Sequence, residues 1–104
     1  MNQDATERIS VETVREAAEV LRCIGHPVRL RIVELLETAG ELNVSAIREH
    51  VGLEQAVASQ HLGLMRDKGI LASRREGTNV FYRIQDEKVT QVIECLRACD
   101  VNRV

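Results

Sequence analysis

Apolar residues recur every three or four positions in the first third of the chain, which is the spacing of helices with one buried face. Ser10 can cap a first helix, and Gly25-His26-Pro27 ends it. Pro27 then suits the first turn of a second helix, which runs to about Thr38. The apolar positions of the first helix are Val11, Val14, Ala17, Ala18 and Leu21, and those of the second are Leu30, Ile32, Val33, Leu35 and Leu36.

Two more helices follow, separated by a short turn. The third spans Val44 to Val51 behind Asn43, a plausible cap, and the fourth runs from about Gln55 to Lys68. Gly52-Leu53 forms the turn between them, and Gly69 closes the fourth helix. Two helices joined by a short glycine-containing turn predict a helix-turn-helix.

The pattern then changes to strands and back to a helix. Leu71 to Arg75 and Asn79 to Ile84 predict a β-hairpin, with Gly77 supplying the turn. A last helix runs from Asp86 to about Asn102, with Val89, Val92, Ile93 and Leu96 on one face. The predicted order is ααααββα, a mainly α winged helix-turn-helix whose wing is the hairpin.

Length and composition place this arrangement in one domain. A chain of 104 residues suits a single core, and we expect residues 10–104 to form it behind a flexible segment of residues 1–9. Because aromatic residues make up only 2% of the chain and Trp is absent, that core must be aliphatic. No disulfide, metal or other cofactor is needed for folding at this size. The polar first ten residues and the lack of a long apolar run predict a cytoplasmic protein without a membrane span.

The fourth helix has the composition of a helix that reads DNA. Ala58, Leu62 and Met65 share one face and must point to the core. The residues of the opposite face are small or carry hydrogen-bonding groups, so the helix can enter a major groove about 12 Å wide. Glutamine can pair bidentately with adenine. The predicted contacts on this helix are Gln55, Ala56, Ser59, Gln60 and Gly63.

The hairpin adds positive charge and polar side chains near its tip, namely Arg74, Arg75, Thr78 and Asn79. Residues 54–84 carry five basic and three acidic side chains and form the only net-positive segment of the chain. A wing of this kind can contact phosphates or the minor groove. The alternative is an ordinary solvated turn. His61, at the edge of the inward face, is interpreted as a packed histidine rather than a DNA contact or metal ligand.

Three segments resemble the ArsR/SmtB family of small winged-helix repressors: "LRCIGHPVRLRIVELL", "GLEQAVASQHLGLMRDKGIL" and "GTNVFYRI". The resemblance covers about Val11 to Leu96. It implies a homodimer built on the first and last helices, which binds an imperfect palindrome of double-stranded DNA and is released by an inducer. The chain departs from the family at Glu54 and Ala56, where members often carry Ser or Thr, and a carboxylate lies unfavourably close to phosphates.

The two metal sites known in the family cannot form in this sequence. The thiolate site of the third helix lacks both of its cysteines. The zinc site of the last helix retains its aspartate but has a lysine cation in place of one histidine, so a four-ligand shell is not available. The corresponding residues are Asn43 and Ser45 in the first site, and Asp86, Lys88, Cys99 and Asn102 in the second.

Three cysteines remain as a candidate sensor. Cys95 and Cys99 share one face of the last helix, with Cβ atoms about 5–6 Å apart, too far for an easy disulfide. Cys23 lies near the end of the first helix, which the resemblance places beside the last one, so it can join them within or across subunits. Three thiolates suit As(III), Sb(III) or a soft metal ion as inducer.

Two other interpretations of the cysteines stay open. One is a redox or reactive-sulfur sensor linking Cys23 to Cys95 or Cys99. Sensors of that kind in the family carry their cysteines at positions that fall near Glu34 and Val101 here. The other is that all three thiols are small buried hydrophobes.

Function classes other than a repressor have less support. A winged helix can also bind protein instead of DNA, as an interaction module without an inducer. No glycine-rich phosphate loop, HExxH motif or CxxC motif occurs, so an enzyme is not expected.

Overall fold

The computed structural model describes residues 7–101. Residues 1–6 of the predicted flexible N-terminus and the predicted end of the last helix at Asn102 lie outside this range. No helix among the described residues is long and apolar enough to cross a membrane. The elements in chain order are α1 (Val11–Ile24), α2 (Pro27–Ala39), β1 (Glu41–Asn43), α3 (Val44–Val51), α4 (Gln55–Asp67), β2 (Leu71–Glu76), β3 (Asn79–Ile84) and α5 (Glu87–Val101).

The structure confirms the winged helix-turn-helix but adds a strand. β1 pairs antiparallel with β3, and the sheet has the order β1-β3-β2. The predicted order contained no strand between the second and third helices. A strand of three residues, Glu41–Asn43, is too short to show an alternating pattern, and only its pairing with β3 makes it a strand.

Side chains close the helix ends where the sequence predicts caps. The Ser10 hydroxyl accepts from the backbone N–H of Thr13 at 3.1 Å, and the Asn43 carbonyl oxygen accepts from that of Ala46 at 2.8 Å. Glu54 occupies the cap position of α4 but makes no side-chain bond there. The departure from Ser or Thr therefore leaves the start of α4 without a side-chain cap.

The core is aliphatic, as composition predicts, and lies between the helices and the inner face of the sheet. The inward residues of α4, which are Ala58, Leu62 and Met65, have no solvent exposure. Tyr82 of β3 is the one aromatic residue in the core of the described chain. The other fully buried large side chains include Ile24, Ile32, Val33, Leu36, Ile47, Ile70, Leu71, Val89 and Ile93.

The outer helices α1 and α5 are only partly covered by the rest of the chain. Val11, Val14 and Leu21 of α1 are 66%, 53% and 52% exposed, although their spacing is that of a buried face. Leu96 of α5 is 46% exposed. In this chain the buried residues of α1 are Val20, Cys23 and Ile24, so the rest of the domain covers only part of the apolar stripe of α1.

We expect Asn43→Ala to lower the free energy of unfolding by about 1 kcal/mol, because it removes the cap bond to Ala46. Urea denaturation followed by circular dichroism measures the change. Glu54→Ala is the matched control, since the side chain at that position makes no cap bond. Equal losses in the two variants would contradict the role given to the cap.

Candidate nucleic-acid interface

The predicted DNA-reading face of α4 is exposed and polar. Gln55, Ala56, Ser59 and Gln60 are exposed, while Gly63 is half-buried. Ala56, Ser59, Gln60 and Gly63 turn away from the buried face of the same helix, so the core fixes the direction in which they point, whereas Gln55 lies at the start of the helix on the side of Ala58. The structure therefore brings four of the predicted contacts of α4 together on one surface, with Gln55 exposed at the start of the helix.

Gly63 is not required by packing within the chain. A Cβ atom at this position would meet only the Arg66 guanidinium, at 3.9 Å. A glycine inside a helix costs roughly 0.5–1 kcal/mol relative to alanine, and here no close neighbour offsets that cost. Its position on the outer side of α4 instead leaves room for the close approach of another molecule.

The wing is a regular two-stranded hairpin with an exposed tip. Gly77 adopts a φ of 62°, the left-handed conformation that this turn requires. Arg75, Thr78 and Asn79 are exposed at or near the tip. Arg75 takes part in none of the ion pairs between described residues, so its charge is free to meet a phosphate.

Arg74 has a different environment from Arg75. Its guanidinium donates from Nε and Nη2 to the carboxylate of Glu41, with distances of 2.9–3.1 Å, and lies 4.5 Å from the centre of the Phe81 ring. A second carboxylate, Glu76, is 3.5 Å away. Hydrogen bonding with Arg74 lowers the pKa of Glu41. Arg74 thus spans the outer face of the sheet from β2 to β1, a contact that sequence reasoning missed because it missed β1.

Asn79 also contacts the rest of the domain. The Asn43 amide donates to the Asn79 carbonyl oxygen over 3.5 Å, a long and weak bond. Because Asn43 caps α3, this contact links the wing to the start of the helix-turn-helix. Asn79 remains exposed and can still reach a ligand at the wing.

The three cysteines occupy two different environments. Cys23 is buried, and burial raises the pKa of its thiol despite the opposing charges of Arg29 and Lys68. Cys95 and Cys99 are exposed on α5. Within residues 7–101 of one subunit, no group of three His, Cys, Asp or Glu side chains could hold a metal ion. A site containing all three thiols would therefore need more than one subunit or a change of conformation.

A groove between α2 and α5 contains the two positions near which the family resemblance places the cysteines of redox sensors. Both positions, Glu34 and Val101, line this groove of about 630 Å³. Neither is a thiol in this chain. The two positions line one groove, but a disulfide between them cannot form because neither carries a thiol.

Comparisons with known proteins agree with this fold. A family model described as a helix-turn-helix domain matches residues 24–74. The transcriptional repressor PagR of Bacillus anthracis is 37% identical over 89 residues, which cover 86% of this chain and 89% of PagR. Its crystal structure matches with a TM-score of 0.76, covering 84% of this chain and 99% of that chain.

Two other solved structures cover nearly the whole chain. The AntR antimony-specific transcriptional repressor has a TM-score of 0.82 at 27% identity and covers 99% of this chain and 94% of its own. The homodimeric DNA-binding domain of Mb0332 from Mycobacterium bovis, a possible ArsR-family regulator, has a TM-score of 0.74 at 26% identity. It covers 99% of this chain and 90% of that chain.

The fold and these relatives define a winged helix-turn-helix transcriptional regulator, and not an enzyme. More narrowly, the chain belongs to the ArsR/SmtB-type family of transcriptional repressors.

The two wing arginines should differ in DNA binding. We expect Arg75→Ala to reduce the slope of log affinity against log salt by about 0.9 for each phosphate that the side chain neutralises. Arg74→Ala, whose charge is already paired with Glu41, should leave that slope unchanged. Fluorescence anisotropy of a labelled duplex at several salt concentrations measures both. A slope reduced as much by Arg74→Ala as by Arg75→Ala would contradict this assignment.

Proposed function

We propose that the protein is a sequence-specific repressor that places α4 in the major groove and its wing on the flanking backbone. The observation that carries the proposal is the exposed polar face of α4 opposite a fully buried one. Gln55 and Gln60 supply the amides for base readout. Ala56, Ser59 and Gly63 allow the helix backbone to approach the bases, and Arg75, Thr78 and Asn79 serve the backbone contact.

The repressor acts as a homodimer on an imperfect palindrome. The exposed apolar side chains of α1 and α5 support this assembly, because a second copy would cover them. The Mb0332 domain, which is homodimeric, has the same fold over nearly the whole chain. Two-fold symmetry in the protein then requires a two-fold-related pair of half-sites in the DNA.

Leu21→Glu should produce a monomer, because it introduces a charge into the apolar stripe of α1 where Leu21 is 52% exposed. Sedimentation velocity gives the oligomeric state. The matched control is Leu64→Glu, at an exposed apolar position of α4 away from α1 and α5, which should remain a dimer. A wild-type chain that sediments as a monomer at micromolar concentration would contradict the proposed assembly.

The inducer is proposed to be As(III), Sb(III) or a soft metal ion bound by Cys23, Cys95 and Cys99. Cys95 and Cys99 are one helical turn apart and exposed, which suits chelation by the pair. The relative AntR is an antimony-specific repressor. Because no three-ligand group exists among the described residues of one subunit, the third thiol is proposed to reach the pair across the dimer.

Arg97 links the helix that carries Cys95 and Cys99 to α2. Arg97 lies between Cys95 and Cys99 in sequence and donates to Glu37 at 2.9 Å and to the Thr38 hydroxyl at 2.7 Å. Movement of α5 on binding an inducer would thus be passed to α2. Such coupling is typically worth 1–3 kcal/mol, or about 5- to 150-fold in affinity for the operator.

The second candidate, a redox or reactive-sulfur sensor, uses the same thiols. Burial raises the pKa of Cys23, which makes it a poor nucleophile, whereas Cys95 and Cys99 are accessible. The raised pKa disfavours Cys23 in both candidates, since the thiolate is also the metal ligand, and the soft-ion proposal is favoured by the exposed pair Cys95 and Cys99.

We expect reduced wild-type protein to bind a duplex selected from a random pool, and near-stoichiometric arsenite or antimonite to release it. Cys95→Ser and Cys99→Ser should each abolish the release without weakening binding in the absence of metalloid. Anisotropy titrations measure both. Release by oxidants or persulfides alone would favour the second candidate, and failure to bind any duplex would leave an interaction module.

A further inference from the structure

Three elements of the domain meet at one arginine behind the DNA-reading helix. Arg29 of α2 donates from Nε to Nδ1 of His61 on α4 over 3.1 Å. It also donates from Nη1 to the backbone carbonyl of Cys23, at the end of α1, over 3.0 Å. A single guanidinium therefore ties the outer helix α1 to the middle of α4.

The loop between α1 and α2 brings a second imidazole to this place. The rings of His26 and His61 have their centres 4.9 Å apart and are tilted by 56°. His26 is held there because its Nδ1 accepts from the backbone N–H of Val28 and so caps α2. The loop is also tight, since a Cβ at Gly25 would lie 2.9 Å from the carbonyl oxygen of Leu21.

We infer that Arg29 is a positioning residue for DNA binding, which holds α4 in place relative to α1 only while the His61 imidazole is neutral. The inference rests on the proposed function, since it concerns the regulation of the same DNA-reading surface. His61 itself is half-buried at the inner edge of α4, as the sequence predicts for a packed histidine. What the inference adds is that His61 positions α4 through the hydrogen bond that it accepts from Arg29.

The chemistry of the bond makes it depend on protonation. A guanidinium has only donors, so Nδ1 of His61 must present a lone pair to receive it. A protonated imidazole has two donors and no acceptor, and it would face the guanidinium with a like charge. Protonation of His61 therefore removes the bond and replaces attraction by repulsion.

The surroundings of His61 favour the neutral form. Burial lowers the pKa of His61, as do the charges of Arg29 from α2 and His26 from the loop. Cys23 of α1 faces Arg29 through its carbonyl, and Lys68 at the end of α4 is close enough to lower the pKa of the Cys23 thiol. None of these groups is a carboxylate that could stabilise an imidazolium.

The direction of the pH effect follows from the lowered pKa. The neutral His61 accepts the bond from Arg29 and so contributes to operator affinity. This contribution is fully present above the ordinary histidine pKa of about 6.5, and it is lost as the pH falls through the lowered pKa of His61. Positive charge gained in acid usually strengthens binding to DNA phosphates. A loss of operator affinity in acid is therefore the opposite of the general electrostatic trend.

The test measures operator affinity by anisotropy between about pH 7.5 and 5, using a duplex selected from a random pool. The wild type should lose affinity, approaching a tenfold loss per pH unit for each His61 in the complex, and so a hundredfold loss for a dimer, below the pKa of His61. His61→Asn should show no such loss, because its amide oxygen can accept from Arg29 in place of Nδ1 and does not titrate. His26→Asn, which keeps a capping side chain, should retain the wild-type loss.

Circular dichroism at each pH verifies that the variants are folded, and NMR of the wild type gives an independent measurement. A long-range proton–nitrogen spectrum at about pH 7.5 should show Nδ1 of His61 without a proton. Each of three results would overturn the inference. The first is a proton on Nδ1 of His61 at pH 7.5. The others are a loss of operator affinity in acid that is unchanged in His61→Asn, or one that is abolished by His26→Asn. Tight binding at pH 7.5 with no loss of operator affinity in acid would overturn the inference but leave the proposed function standing. Failure to bind any duplex at that pH would remove the proposed function, and the inference with it.

Discussion

The burial of one face of α4 is the interaction on which the DNA-binding surface depends. Ala58, Leu62 and Met65 have no solvent exposure, and they fix both the position of the helix and its rotation about its own axis. A rotation of one residue, about 100°, would turn the polar face away from DNA. The packing of three apolar side chains thus decides which amides and small residues face outward. Since interiors are close-packed, this orientation has little freedom to drift.

The charged residues act on that fixed frame in two ways. Arg75 is exposed and unpaired among the described residues, whereas its neighbour Arg74 is bound by Glu41 across the sheet. Adjacent residues of a strand point to opposite faces, so the two arginines have different neighbours although they are side by side in sequence. Arg74 links β2 to β1 across the sheet, and Arg75 remains available to a partner. Residues 54–84 carry a slight surplus of positive charge, but the charge of Arg74 is already paired with Glu41. The positive charge available to a partner is therefore smaller than the count of basic residues indicates.

Much of this structure could be predicted from the sequence because its signals are local. The caps Ser10 and Asn43, Pro27 at the start of α2 and the turn at Gly77 each act within a few residues. The face of α4 follows from helical periodicity alone.

The contacts that sequence reasoning missed are those between distant residues. β1 exists only through its pairing with β3, and Arg74 could not be assigned to Glu41 without it. The bond from Arg29 to His61 joins residues 32 positions apart and leaves no periodic pattern. The exposure of Val11, Val14 and Leu21 likewise differs from the pattern, because periodicity shows that a face will be covered but not which molecule covers it.

The near absence of aromatic residues gives the protein a built-in optical reporter. The chain has no Trp and one Tyr, and that residue, Tyr82, is buried in β3 opposite Leu42 of β1 and Ser73 of β2. Its ring therefore lies where the central strand of the sheet meets the aliphatic core. Tyrosine emission from the unlabelled protein thus comes from a single known point, at the base of the wing. Any event that loosens this junction can be followed through this emission without attaching a dye.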